Sequence, residues 1–216
     1  MTKEEILNKC NFNLKQAQEI HSWLYPEVAE KSETAVEELP DVYLILRNNE
    51  KVFSPKDFKL EDIKCIAFKT LRGDYVGVYP KYKECTWLPN DRECPLPKMS
   101  EVEALFMTPQ QAVGNTFELA IRDSEAAQYV RDLVCNTKVD AFLPDLTTLI
   151  SFYKHRSEIN AFAEKISDTD QFDSGSNAWS SCRNDSDNAW GYNGSYGFCY
   201  SDYFCSSYLA IPCMLL

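Results

Sequence analysis

Residues 180–208 differ sharply in composition from everything before them, and this contrast constrains the fold most. These 29 residues comprise seven Ser, five Tyr, three each of Cys, Asn, Asp and Gly, two Phe, and one each of Arg, Ala and Trp. Lys, Glu, Gln and Met are absent, although these four types number 42 in the preceding 179 residues. The segment is therefore either a low-complexity tail or a folded surface built from a restricted alphabet.

The aromatic content of the segment favours a folded surface. Solvated tails are poor in aromatic residues, whereas here Trp179, Trp190, five Tyr and two Phe occur within thirty positions. The segment also runs into the apolar sequence of residues 209–216, which we expect to form a buried strand. A stretch anchored by Trp on one side and by a buried strand on the other is predicted to be ordered.

A mixture of Tyr, Ser, Gly, Asn and Asp on a rigid frame is typical of a ligand-binding surface. Tyr supplies a large contact area at low entropic cost, and the small polar residues adapt to many partners. Every residue type in the segment except Trp can be encoded by a codon that ends in a pyrimidine. Mutation of the first two positions of codons such as AAC would generate this alphabet, with Cys182, Cys199 and Cys205 as by-products.

The rest of the chain predicts a mixture of helices and hairpins. Periodicity and turn residues favour a helix over 3–31, a strand and turn over 41–53, a hairpin over 65–79, a loop over 80–100, a helix over 124–133 and one or two helices over 144–166. Ser124 and Asp145 are expected to cap the last two. Arg72-Gly73-Asp74 also spells an integrin-binding tripeptide, but we interpret it as a hairpin tip.

Several blocks of the sequence resemble, in order, the variable proteins of diversity-generating retroelements. The matching blocks are the hairpin over 65–79, Ala-Ala-Gln-Tyr-Val-Arg at 126–131, Phe-Leu-Pro-Asp at 142–145 with Leu149, Tyr153, Arg156 and Ile159-Asn160, Trp-Ser-Ser at 179–181 with Ala189-Trp190, and Ala-Ile-Pro-Cys at 210–213. Ile211 stands where that family usually has Arg. The resemblance covers roughly residues 60–216.

The resemblance implies an α+β fold of the C-type-lectin, formylglycine-generating-enzyme-like type. We accordingly expect two helices and a small mixed antiparallel sheet over residues 61–216, and a small N-terminal α/β accessory region of unknown role over 1–60. It also implies a constant frame that includes Trp179, Ser180, Ser181, Ala189 and Trp190, beneath a surface varied by adenine-directed mutagenesis.

The residues expected to face a ligand lie between and after the frame positions. They are Cys182, Arg183, Asn184, Asp185, Asp187, Asn188, Gly191, Tyr192, Asn193, Tyr196, Phe198, Cys199, Tyr200, Ser201, Asp202, Tyr203, Phe204, Ser206 and Tyr208. The expected function is binding of an unknown protein or cell-surface ligand, as in receptor recognition or adhesion.

Charge and hydropathy exclude other partners. The net charge of −11 repels phosphate backbones, so we expect no nucleic-acid binding.

No signal peptide and no apolar run long enough to span a membrane is present in the sequence. We therefore expect synthesis in the cytoplasm, with assembly into a phage particle as one route of export. The nine Cys are expected to be reduced, and no cofactor or metal is expected.

Three alternative functions stay open at this point. An enzyme would have to use His21, His155, Cys199 or Cys205, and none of these has a visible activating neighbour. We interpret His155 as a solvated residue because it lies between Lys154 and Arg156. A calcium-dependent lectin could use Asp185, Asp187 and Asn188 as oxygen ligands. A structural virion protein without diversification is the third alternative.

Overall fold

The computed structural model describes residues 39–90, 92–135, 141–173 and 175–216. The helix predicted over 3–31 and His21 lie outside these ranges. Residues 40–216 form one compact unit of mixed α+β structure. Strands from residues 42–52 belong to the same sheet as the predicted hairpin, so this unit begins about twenty residues before the expected boundary at residue 61.

The first sheet contains six strands. They are β1 (Val42–Leu46), β2 (Lys51–Val52), β4 (Ile63–Lys69), β5 (Tyr75–Val78), β7 (Ala141–Phe142) and β13 (Cys213–Leu215), in the order β2-β1-β4-β5-β13-β7. The terminal strand β13 is antiparallel to β5, with Cys213 opposite Val78. The apolar run over 209–216 is mostly buried, as its hydropathy predicts, but it does not form one strand. Leu209 and Ala210 end β12 (Ser207–Ala210) of another sheet, and residues 213–215 form β13, an interior strand of this one.

The β4–β5 hairpin closes on Arg72-Gly73-Asp74, as the sequence predicts. Gly73 has φ +92°, a conformation that favours Gly over residues with a side chain. Arg72 reaches from the tip to the buried Asp145, with Nη1–Oδ1 and Nη2–Oδ2 distances of 2.9 and 3.1 Å. Because this bidentate pair occupies the guanidinium, Arg72 joins the hairpin to the helix that Asp145 caps.

In the described ranges, five α-helices follow or separate the strands. They are α1 (Glu101–Phe106), α2 (Pro109–Ile121), α3 (Glu125–Cys135), α4 (Leu146–Lys154) and α5 (Arg156–Ala163). Ser124 and Asp145 accept hydrogen bonds from the backbone N–H groups of Ala127 and Thr148, so both predicted caps are present. The expectation of two helices in this domain was wrong, because α1 and α2 were not predicted.

The junction of α4 and α5 corrects the interpretation of His155. This residue ends α4 and begins α5, and only 4% of its surface is exposed. The turn between the two helices directs His155 inward, although Lys154 beside it is exposed. His155 is therefore a buried residue at a helix junction and not a solvated one.

The second sheet contains five strands. They are β6 (Lys83–Thr86), β9 (Asn177–Arg183), β10 (Asn188–Asn193), β11 (Phe198–Tyr203) and β12 (Ser207–Ala210), in the order β11-β10-β9-β12-β6. A two-stranded sheet of β3 (Phe58–Lys59) and β8 (Ile166–Ser167) is separate. The single small sheet expected from the sequence is thus an underestimate, and β6 lies where we predicted only a loop.

The main core lies where the six-stranded sheet, the helices and one face of the second sheet meet. It includes Phe68, Phe142, Phe152 and Cys182, which are all fully buried. No helix in the described ranges is both long enough and apolar enough to cross a membrane.

Candidate functional site

The segment of restricted composition forms part of β9, all of β10 and β11, the first two residues of β12, and their connections. Strand β10 pairs with β9 on one side and with β11 on the other. Residues 178–182 of β9 are all buried, whereas each residue of β11 is exposed or half-buried. The segment is therefore folded, and it contributes both a frame and a surface.

The Trp-Ser-Ser block is fixed by hydrogen bonds to backbone atoms. The Trp179 indole N–H donates to the Cys85 carbonyl at 3.0 Å. The Ser180 hydroxyl donates to the Trp190 carbonyl at 2.7 Å, and the backbone N–H of Ser181 donates to the Pro144 carbonyl at 2.8 Å. Trp179, Ser180 and Ser181 are fully buried, and each hydrogen bond offsets the free-energy cost of removing its donor from water. Trp179, Ser180 and Ser181 therefore belong to the frame.

Ala189 and Trp190 also belong to the frame, in different ways. Ala189 is fully buried. Trp190 is half-buried against the main core, and its indole N–H donates to the Met99 carbonyl at 2.8 Å. Truncating Trp190 would therefore remove its hydrogen bond to Met99, which is distant in the sequence, and part of the core packing.

Trp87 is a frame residue that the sequence analysis missed. It is fully buried, stacks on Phe204 with ring centroids 4.8 Å apart, and donates its indole N–H to the Ser180 carbonyl at 2.7 Å. The Phe204 carbonyl accepts from the backbone N–H of Trp87 at 2.8 Å. A Trp within a Pro-rich stretch was the available signal, because Trp is rarely left in solvent without a function.

Three residues expected at the ligand-facing surface are buried instead. Cys182 contacts Met107 in the core and, like residues 178–181, is buried in the central strand β9. A side chain at Gly191 would lie 2.7 Å from the Ala178 carbonyl oxygen. Phe204 is held by Trp87. These three positions are corrected from surface to frame.

The other expected positions reach solvent to different extents. Asp187, Tyr196, Phe198 and Tyr203 are exposed. The remaining twelve are half-buried: Arg183, Asn184, Asp185, Asn188, Tyr192, Asn193, Cys199, Tyr200, Ser201, Asp202, Ser206 and Tyr208.

The two faces of the β10–β11 hairpin have different roles. Trp190, Tyr192 and Cys199 pack against the main core, and the Tyr192 ring lies 4.3 Å from that of Tyr153. Because side chains alternate along a strand, Phe198, Tyr200 and Asp202 point to the opposite face. We call the side of the hairpin that bears these last three residues the outer face.

Three aromatic rings, those of Trp179, Tyr208 and Tyr200, are in contact at the outer face. The Tyr200 ring covers Gly191 and makes an edge contact with Tyr208 at 5.6 Å. Tyr208 in turn contacts the buried Trp179 at 4.7 Å. Tyr208 also donates its hydroxyl to the Asp202 carboxylate. Burial raises the pKa of Tyr200 above its ordinary value. The three rings therefore join the buried Trp179 to the half-buried Tyr200.

The loop between β9 and β10 is organised by Asp185. Its Oδ1 accepts from the backbone N–H groups of Asp187 and Asn188 at 2.9 Å, and the Asn188 side-chain amide donates to both carboxylate oxygens. The Asp187 N–H and then the Asn188 side chain lower the pKa of Asp185. Two of the three residues considered as calcium ligands, Asp185 and Asn188, therefore hydrogen-bond to each other in this loop.

Buried thiols limit what the site can do chemically. Burial raises the pKa of Cys182 to about 12 and that of Cys199 to about 11. Nucleophilic Cys require a thiolate, which a raised pKa disfavours near neutral pH. The free Cys are Cys65, Cys85, Cys94, Cys182, Cys199, Cys205 and Cys213. Among the described side chains, no group of three His, Cys, Asp or Glu could hold a metal ion.

Comparison of the chain with protein-family models, curated proteins and solved structures found no match.

Proposed function

We propose that this chain is a ligand-binding protein of receptor-recognition or adhesin type, whose surface is diversified by a retroelement on a C-type-lectin-like fold. The observation that carries the proposal is the division of residues 179–208 into buried frame residues and outward Tyr, Phe, Ser, Asn and Asp. Such side chains on rigid strands bind by large aromatic contacts and adaptable hydrogen bonds.

The residues that carry the family resemblance support the frame part of the proposal. Ala126, Ala127 and Val130 form the buried side of α3, and Phe142 and Leu143 are fully buried before α4. Asn160 exchanges two hydrogen bonds with the backbone of Phe172, at 2.8 and 2.9 Å. These residues therefore support the scaffold.

We propose binding without chemistry. Tight, specific binding needs neither a nucleophile nor a general base, and the buried thiols of Cys182 and Cys199 are poorly suited to supply the former. The partner we propose is a protein or cell-surface ligand, and the net charge of −11 disfavours nucleic acid.

Comparison of this gene between sibling isolates tests the proposal. We expect substitutions at outward positions such as Tyr196, Phe198 and Tyr203, and none at Trp179 or Gly191. Neighbouring DNA should hold a near-copy of the 3′ end of the gene beside a reverse-transcriptase gene. An invariant segment 184–208, or variation spread evenly over buried and exposed positions, would contradict diversification.

A further inference from the structure

The segment after Arg183 carries negative charge only. Residues 184–208 contain Asp185, Asp187 and Asp202 but no Lys, Arg or His. Arg183 itself is turned inward, since its Nη1 donates to the carbonyl oxygens of Cys94 and Leu96 at 3.2 and 2.8 Å. The surface therefore presents carboxylates that its own segment does not neutralise.

Asp202 differs from Asp185 in its surroundings. Lys98 lies near enough to Asp185 to contribute to its lowered pKa. The ion pairs among the described residues do not include Asp202. Its carboxylate accepts from the Tyr203 N–H at 2.7 Å, from the Ser206 hydroxyl at 3.2 Å and from Tyr208. A carboxylate has about four acceptor positions, so one remains for a partner.

Aromatic rings lie on the same face as this carboxylate. Phe198, Tyr200 and Asp202 are alternate residues of one strand, so neighbours among them are separated by about 7 Å. Phe198 is 52% exposed and stacks at 6.0 Å on Tyr196, which is 78% exposed. A guanidinium group stacks on such rings within about 6 Å of their centres and donates to a carboxylate through its planar edge.

We propose that the outer face formed by Phe198, Tyr200, Asp202 and Tyr208 binds arginine side chains on the surface of a protein partner, one at Asp202 beside Tyr200 and another on the ring of Phe198, about 14 Å along the strand. The inference rests on the proposed function, because it names the partner chemistry of the same surface. Charge complementarity favours a basic partner for this acidic surface. The planar ring-and-carboxylate arrangement favours arginine over lysine, since an ammonium group lacks the planar stacking face. Because the proposed function allows these residues to vary, the selectivity for arginine applies to the sequence that the surface has here.

Isothermal titration of the full chain with an arginine-only hexapeptide and a lysine-only hexapeptide tests the proposal. We expect the arginine peptide to bind more tightly, by roughly fivefold or more, because stacking adds to charge attraction. Asp202→Asn should weaken arginine binding by about tenfold, since a charge-assisted hydrogen bond is lost. Asp57→Asn removes the same charge from an exposed site outside the segment and should change binding less than about twofold.

Phe198→Leu provides a second test that does not disturb the Asp202 hydrogen bonds. It should weaken the arginine peptide by severalfold and the lysine peptide less, and thermal melting of each variant identifies any loss of folding. Equal affinity for the two peptides, no binding of either, or equal losses in Asp202→Asn and Asp57→Asn would overturn the proposal. If the gene varies among isolates but the protein does not bind arginine, this inference alone fails. If the gene is invariant but the protein binds arginine, only diversification fails.

Discussion

Strands β9 and β11 both pair with β10 and both contain Ser, Cys and an aromatic residue, yet their environments are opposite. Residues 178–182 of β9 are buried, and none of β11 is. Strand β9 lies in the centre of its sheet, whereas β11 is an edge strand. The comparison shows that residue type alone does not separate frame from surface. Position in the sheet does, together with the residues that cover each strand.

The contacts of serine illustrate this difference. Ser180 and Ser181 are fully buried and hydrogen-bonded to backbone carbonyls across the fold. Ser201 on β11 is half-buried. Changing a buried hydrogen-bonded hydroxyl leaves its partner unsatisfied, whereas water can replace an exposed one. A diversified surface therefore requires that the variable positions avoid strand β9.

The largest effect that separates the two strands should come from Trp179→Ala. We expect a loss of about 3–5 kcal/mol in the free energy of unfolding, because a fully buried indole leaves a cavity. Urea denaturation measures the loss. Trp179→Phe should cost less, since it keeps most of the apolar packing and loses mainly the hydrogen bond to Cys85. If Trp179→Ala unfolds at the same urea concentration as the parent, β9 is not the frame.

A smaller effect should come from Gly191→Ala. Gly191 of β10 pairs with Trp179 of β9 on one side and with Tyr200 of β11 on the other. The added Cβ would lie 2.7 Å from the Ala178 carbonyl oxygen and 3.4 Å from the Tyr200 ring. We expect about 1–3 kcal/mol of destabilisation from this overpacking, measured by thermal and urea unfolding.

Gly114→Ala is the matched control for that substitution. Gly114 lies inside helix α2, and nothing is within 4 Å of its added Cβ. We expect it to stabilise the protein by about 0.5–1 kcal/mol, because Ala has the higher helix propensity. Equal and small effects at both glycines would show that Gly191 tolerates a side chain and could vary.

The frame and the surface could be predicted from the sequence to different extents. Local patterns predict the β4–β5 hairpin, both helix caps, the burial of the terminal apolar run and the folded state of the Trp-Ser-Ser block. Helices α1 and α2 could also have been found, because Ser100 with Glu103 and Thr108 with Gln111 form capping boxes. Their omission was therefore a failure to apply a local rule.

Other features depend on contacts that no local pattern contains. Cys182 is buried because the central strand β9 is covered on both faces, and alternation along a strand does not predict five consecutive buried residues. Phe204 is buried because Trp87, more than a hundred residues earlier, stacks on it. His155 is buried because two helices meet there. The separation of frame from surface was thus partly predictable. The positions that were assigned wrongly depend on contacts between residues that are far apart in the sequence.

The third effect concerns the loop between β9 and β10, where Asp185 acts as a frame residue despite its partial exposure. We expect Asp185→Ala to cost about 1 kcal/mol at neutral pH, because the Asp187 and Asn188 N–H groups lose their acceptor. The folded-state pKa of Asp185 is lowered, so this contribution is complete above the unfolded pKa near 3.9. It is lost as the pH falls through the folded pKa, so the gap between parent and variant should close in acid.

Asp187→Ala is the control in the same loop. Asp187 is exposed, and its carboxylate accepts only from the Ser186 hydroxyl among the described contacts. We expect little change in unfolding at any pH. Matching losses for Asp185→Ala and Asp187→Ala would indicate that net charge, and not the turn, accounts for the effect.

The smallest effect, and the most informative for the proposed function, should come from Tyr203→Ser at the end of β11. Tyr203 is 62% exposed, so we expect the free energy of unfolding to change by about 0.5 kcal/mol or less. Urea denaturation of this variant beside Trp179→Ala gives the contrast directly. A loss approaching that of Trp179→Ala would mean that outward rings contribute to folding. Such a surface could not be diversified freely, because many of its variants would unfold before they could bind.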